Sequence, residues 1–550
     1  MKKSIAILFI CFVVSANAQT AKPSSAQASV TAKPKLVVGI VIDQMRYDYI
    51  YRYWDKFGND GFKRLVNEGF FCRNTNYNYV PTYTGPGHAS IYTGTTPAVH
   101  GIIANDWYDK PTGKSIYCAE DNDVMSVGTT SSEGRRSPVN MLTTTITDEL
   151  RISSNMKSKV IGIALKDRAA ILPAGHAASA AYWYDGSNGC FITSSYYMNV
   201  LPDWVNEFNK KELPKQYLSQ PWNTLLPIEQ YKESLPDDNA YETVFKGETK
   251  PVFPHNIPEL MAKNGGLNII RATPFGNSLT KDFAIETMKN ENMGKSGTTD
   301  FLAVSFSSPD YIGHAFGPNS VEQEDDYIRL DKDLAELFKF IDTQVGKNNA
   351  LIFLTADHAA PEVPNYLTDL KIPSGYVHTK KMADTLKKHL LSVFGDSLML
   401  SFSNQQVFLN HDIIASKKLN LNLIEEDIAT FLMTMPEVSE VLTAATLNNS
   451  QFTEGSRYLM QKGYNAKRSG DVLVNFLPDY IDAYSTTGTT HGSPYSYDTH
   501  VPLLFFGWNI KQGSTSEQVY ITDVAATLAM MLNIQFPNGC TGKPISILVK

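Results

Sequence analysis

The chain's most regular pattern is an uninterrupted apolar run, Leu36–Ile42 (LVVGIVI), that ends on a carboxylate, Asp43. A strand that is apolar at every position, rather than at alternate ones, is covered on both faces, as parallel strands flanked by helices are. The pattern recurs. KVIGIALK ends on Lys166, DFLAVSF (300–306) stops just short of Asp310, and NALIFLT (349–355) stops just short of Asp357. VPLLFFG (501–507) reads as a further central strand. Between these runs, helical periodicity falls at about 60–68, 138–152, 321–344 and 522–533. Helices alternating with doubly buried strands predict an α/β fold: a mostly parallel central sheet flanked by helices. Two stretches break the rhythm. Residues 170–275 are rich in aromatics and prolines and predict an inserted cap, and 365–470 run through amphipathic segments that predict a second insertion.

In open α/β sheets, ligands bind beyond the carboxyl ends of the strands. Aspartates and histidines gather at those ends: Asp43, Asp310 with His314, Asp357 with His358, and His491 in TTGTTHGSP. Three carboxylates and three imidazoles exceed the usual four donors of a zinc ion and suit two ions. Asp310 and His314 stand four apart, a spacing that shares one helical face. Asp357 and His358 are adjacent, so they converge only where the chain has left the strand.

Three further motifs complete the constellation. In PTYTGPGHASIYTGTTP, Thr84 stands before GPGH and a short helical stretch, either as a plain helix cap or as a hydroxyl that metal coordination could activate. HGIIANDWYD holds Asn105, and ALKDRAAIL holds Lys166 and Arg168, two cations on one face if the strand continues through them.

Composition narrows the reading. The chain has 550 residues, 43% hydrophobic and 19% charged, which excludes a disordered or fibrous protein. A net charge of −7 excludes a nucleic-acid binder that works by bulk electrostatics. Residues 1–18 carry Lys2 and Lys3, an apolar run of ten and Ala16-Asn17-Ala18, the pattern of a cleaved export signal. Residues 19–34 read as a flexible leader before a catalytic domain at 35–550, and no other run is long enough for stable membrane insertion. The expected location is a bacterial periplasm. Loss of Cys11 with the signal leaves Cys72, Cys118, Cys190 and Cys540, for which Cys72–Cys118 and Cys190–Cys540 are the expected disulfides.

Taken together, these motifs resemble the alkaline phosphatase superfamily, from Asp43 through His491 to VPLLFFG. The set Thr84, Asn105, Lys166 and Arg168 is similar to that of the phosphate-irrepressible, PafA-like monoesterases. The resemblance implies two Zn²⁺ ions, one held by Asp310, His314 and His491, the other by Asp43, Asp357 and His358 with Thr84 bridging to it as nucleophile. It implies that Asn105, Lys166 and Arg168 grip the phosphoryl oxygens. Residues 84–88 read TGPGH and lack the CxPxR or SxPxR of sulfatases.

Charge separates two activities. Two divalent cations balance three carboxylates and a threonine alkoxide, so Lys166 and Arg168 are left to offset a monoester dianion. Hydrolysis of small phosphate monoesters through a phosphothreonine is therefore the expectation. A phosphodiesterase or nucleotide pyrophosphatase on the same core is the alternative, and a non-catalytic zinc- or phosphate-binding protein is a remoter one. The other histidines are expected to be structural, with His88 and His500 placed by sequence to support the site.

Overall fold

The computed structural model describes residues 32–483 and 485–549. The expected export signal, Cys11 and all but the end of the leader lie outside the described residues. Strand Leu36–Ile42 is buried at every position and lies in the middle of a ten-stranded sheet. Its neighbours are Asp300–Phe306 and Ala350–Thr355, both parallel to it. Val160–Ala164 and Ala180–Asp185 continue the parallel block beyond Asp300–Phe306. One strand on each side of this block runs the other way: His500–Gly507 pairs antiparallel with Ala350–Thr355, and Cys190–Ser194 antiparallel with Ala180–Asp185.

Register is what builds the site. Leu36 lies opposite both Asp300 and Ala350, and Val41 lies opposite Ser305 and Thr355. Ala164 also lies opposite Ser305. Four parallel strands therefore end level, and Asp43, Lys166, Asp310 and Asp357 all follow within a few residues of that edge.

The expected helices form as Phe62–Glu68, Ile146–Ser153, Val321–Val345 and Asp523–Leu532. The second starts later than its pattern because Thr145 and Asp148 form a reciprocal capping box. Segment 170–275 is not wholly a cap: Ala180–Asp185 and Cys190–Ser194 are strands of the central sheet, and only then does the chain enter short helices and turns. Their apolar positions read as cap packing because aromatic residues stand where aliphatic ones occupy the other strands. The 365–470 segment supplies three strands of a separate four-stranded sheet, completed by Val472–Phe476. That sheet has its own core, including Leu386, Leu390, Ile424, Ile428 and Val474.

All four described cysteines are free, so neither expected disulfide is present. Cys72 is buried within strand Phe70–Asn76, whereas Cys118 packs against Gly85 at the site. Cys190 opens a strand near the far margin, and Cys540 abuts Gly94 at the end of helix Thr84–Thr93. Among the described residues, no helix is long and apolar enough to cross a membrane.

Candidate active site

The three predicted histidines are oriented the same way. His314 donates from Nδ1 to the Thr489 carbonyl at 2.8 Å, His358 to Ala359 O at 3.1 Å, and His491 to Thr82 O at 2.6 Å. A carbonyl only accepts, so each Nδ1 carries the proton and each Nε2 presents a lone pair inward. The His358 and His491 rings stack at 3.5 Å.

The carboxylates face those lone pairs. Asp43, Asp357 and His358 bring one ligand atom each to within 4.8 Å of one another, and Asp310, His358 and His491 do the same. His314 Nε2 lies 3.2 Å from Asp310 Oδ1, at the more open side of the pocket. His358 thus belongs to both groups, and His314 adjoins the second rather than completing it. Asp43 Oδ1, one oxygen of Asp357 and Nε2 of His358 are buried with no hydrogen-bond partner. Buried polar atoms are seldom left orphaned. Mixed imidazole and carboxylate donors, orphaned inward and hydrogen-bonded outward, fit divalent zinc-like cations.

Electrostatics agree with that fit. Burial pushes the Asp43 carboxyl up to about 6, against the pull of Lys166. Burial, together with the charge of Asp43, raises Asp357 well above the usual carboxylate range. Burial would raise Asp310 too, but His314 and Lys166 hold it well below that range. Burial lowers His491, and burial with neighbouring His491 lowers His358, so both imidazoles are neutral. His314 differs: burial lowers it, and Asp310 more than reverses the effect. A cation between Asp310 and His314 would do what that proton does.

Thr84 is not the cap of its helix. The N-cap of helix Thr84–Thr93 is Tyr83, which makes no side-chain cap, and Thr84 is the first helical residue. Its hydroxyl faces Lys166 Nζ at 3.5 Å and Arg168 Nη2 at 3.4 Å instead. Asn105 Oδ1 accepts the Gly85 N–H at 2.8 Å, beside the nucleophile candidate. Gly87 serves close packing: a Cβ there would come within 2.3 Å of the Asp357 carbonyl oxygen.

Lys166 and Arg168 do not continue the strand. The strand ends at Ala164, Lys166 caps helix Asp167–Ala174, and Arg168 lies in its first turn. They still converge. Lys166 Nζ bridges Asp43 Oδ2 at 2.7 Å and Asp310 Oδ2 at 2.5 Å, one carboxylate from each ligand group. Arg168 Nη1 donates to Tyr117 Oη at 3.1 Å, Tyr117 donates to Asp167, and Arg136 Nε donates to Asp167 at 2.8 Å. A solvated charged turn would show none of this burial or pairing.

Some members of the site were not read from the sequence. Gln44, at φ 62°, donates its backbone N–H to Asp357 Oδ1 at 3.2 Å and its side-chain amide to Asp310 Oδ1 at 3.0 Å. Nothing in a lone Asp-Gln pair signals that double role. Tyr117, at the end of strand Lys114–Tyr117, and Arg136 carry no such signal either. His88 does support the site: Nδ1 donates to Thr84 O at 2.9 Å and lies 3.4 Å from Asp357. His500 does not; it stacks on Tyr47 and bonds the Arg73 carbonyl.

A level strand edge carrying two overlapping acid–imidazole clusters and a hydroxyl between two cations defines a metal-dependent hydrolase-type centre. The family model for type I phosphodiesterase / nucleotide pyrophosphatase matches residues 37–497, and the chain belongs to that family. It is 46% identical to alkaline phosphatase PafA of Elizabethkingia meningoseptica, over 94% of this chain and 95% of PafA. The crystal structure of wild-type PafA superposes with a TM-score of 0.91, over 94% of this chain and 99% of that one. The chain is 45% identical to alkaline phosphatase PhoV of Synechococcus elongatus, over 99% of this chain and 98% of PhoV. It is 48% identical to a protein named calcium-transporting ATPase from Myroides odoratus, over 93% of this chain and 94% of that protein.

Proposed function

We propose that this chain is an exported alkaline phosphatase that hydrolyses small phosphate monoesters in the periplasm, with residues 35–550 as its catalytic domain. The observation that carries the reading is the Thr84 hydroxyl facing Lys166 and Arg168, with Lys166 in turn paired to Asp43 and Asp310 of the acid–imidazole clusters. Zinc ions held by Asp43, Asp357 and His358, and by Asp310 and His491 with His314 alongside, would supply Lewis acidity for the entering and leaving oxygens.

The chain's own groups do the rest. Thr84 Oγ attacks phosphorus in line, its oxygen replacing the alcohol and forming a phosphothreonine that water then cleaves. His88 and Asn105 fix the helix start that aims Thr84, through the Thr84 carbonyl and the Gly85 N–H. With its Oδ1 engaged, Asn105 has its amide hydrogens for a phosphoryl oxygen. Lys166 and Arg168 bring two positive charges to a dianion whose charge spreads over its oxygens in a loose transition state. A diester carries one charge fewer and needs this pair less. No nucleic acid or membrane is part of the reading.

The test compares an aryl phosphate with its bis-aryl diester in wild-type protein and in Lys166→Ala/Arg168→Ala. A monoester preference that collapses in the double variant is expected. Equal losses on both substrates would favour the diesterase reading that the family model suggests. Chelation followed by zinc should restore activity; restoration by magnesium alone would reject zinc.

A further inference from the structure

Beyond the reacting centre, Lys166 and Arg168 also line one wall of a cavity of about 180 Å³. Tyr311, on the same helix as Asp310 and His314, lines it too, so the cavity adjoins the reacting centre. Arg271 lies in the cavity's lining, on the short helix Gly266–Ala272 that packs against Ser308–Phe316.

The cations around this cavity are not equivalent. Lys166 is matched by Asp43 and Asp310, and Arg136 by Asp167. Arg168 points its Nη2 at Thr84 and is committed to the phosphoryl group. Arg271 is different. Its Nη2 donates to the Tyr184 carbonyl at 2.8 Å, and its guanidinium sits 5.7 Å from the Tyr184 ring centroid. Its Nε is buried with no partner, and among the described residues no carboxylate lies within 4.0 Å of it. Glu133, the other acid in the lining, is about half-exposed and leans toward Arg136 at 3.9 Å. A half-buried guanidinium without a counter-ion, anchored by a carbonyl and an aromatic face, is arranged to receive a planar or tetrahedral anion.

We propose that Arg271 forms a distal anion subsite, which selects phosphate monoesters whose alcohol portion carries a second anionic group, a carboxylate or another phosphate. This rests on the monoesterase reading and deepens it. The reacting phosphoryl group occupies Thr84, Asn105, Lys166 and Arg168, while the second anion reaches across the cavity to Arg271. Tyr311 and Trp183 line the same cavity and supply aromatic surface for the organic part of the substrate.

The experiment uses 4-carboxyphenyl phosphate and 4-carbamoylphenyl phosphate, near-isosteres that differ in charge. The kcat/KM ratio of the first to the second is measured in wild type, Arg271→Lys and Arg271→Gln. Intrinsic leaving-group differences cancel when ratios are compared between proteins. Arg271→Gln should lower the ratio about tenfold, the scale of one lost charge-assisted hydrogen bond, and Arg271→Lys should lower it less. The wild-type ratio should also fall as salt is raised. An unchanged ratio in Arg271→Gln, or a wild-type ratio indifferent to salt, overturns the subsite. If wild-type protein hydrolyses neither ester, it is the monoesterase reading that fails instead.

Discussion

Asn105 and Gly85 are joined by one hydrogen bond, 2.8 Å from the Gly85 nitrogen to the Asn105 side-chain oxygen. The bond satisfies an otherwise unpaired donor at the start of the helix that carries Thr84. It also fixes which end of the amide points outward, because an N–H can only be accepted by the oxygen. Positioning of the nucleophile candidate and presentation of the amide donors are thus one act. Asn105→Ala should lower kcat/KM for a monoester by roughly 10²-fold or more, the scale of removing one donor aimed at developing charge. Asn105→Asp keeps the acceptor for Gly85 but loses the donors, and it should be nearly as inactive, which steady-state kinetics would reveal.

Thr84 is separable from binding. Thr84→Ala removes the hydroxyl and leaves the acid–imidazole clusters, Lys166 and Arg168 in place. Turnover should be almost abolished, while inorganic phosphate binding by titration calorimetry persists. Thr84→Ser should retain measurable turnover. Activity near wild type in Thr84→Ala would reject the nucleophile assignment.

Gln44 orients two carboxylates that belong to different ligand groups. Outer partners of ligating groups commonly change metal affinity by about 10- to 100-fold when removed. Gln44→Ala keeps the backbone bond to Asp357 but loses the amide bond to Asp310. Metal retention during dialysis against a weak chelator should weaken on that scale, while far-ultraviolet circular dichroism stays unchanged. Retention equal to wild type would remove Gln44 from the support of the site.

His255 gives the protein a pH-dependent stability away from the site. It is fully buried, with Nδ1 2.9 Å from Glu248 and Nε2 3.1 Å from Glu322. Burial lowers its pKa, but the two glutamates more than compensate and raise it to about 9. The folded value exceeds the unfolded one, so the stabilisation is complete below the unfolded pKa near 6.5 and is lost as pH rises through about 9. Across that window the loss is about 3 kcal/mol. Glu242, which burial and the charge of Glu322 raise to about 10, changes stability in the same direction. Melting temperature should therefore decline from pH 7 to pH 9.5, and His255→Asn should flatten the decline while lowering stability at pH 7.

Much of this arrangement was legible before folding was considered. Strands 36–42, 300–306 and 350–355 are mostly apolar and buried throughout because both faces are covered, and an aspartate follows each within four residues, at the level edge of the sheet. Asp310 and His314 share a face of helix Ser308–Phe316, as their spacing requires. Other features were not legible. Strand Ala180–Asp185 carries Tyr182, Trp183 and Tyr184, so its membership of the sheet was hidden in an aromatic pattern that suits a cap equally well. Gln44 adopts a left-handed backbone that no local preference announces. The cysteines are apart because pairing depends on where strands lie in the sheet, not on their order in the chain.

The sequence by itself determined which residues can carry the chemistry and that they stand at the ends of buried strands, since hydrophobic period and residue type are local properties. Only the tertiary structure decided that these ends are level, that His358 faces both acid clusters, and that Arg271 lacks a counter-ion. Those facts depend on strand register and on approaches between segments hundreds of residues apart, which no local pattern encodes.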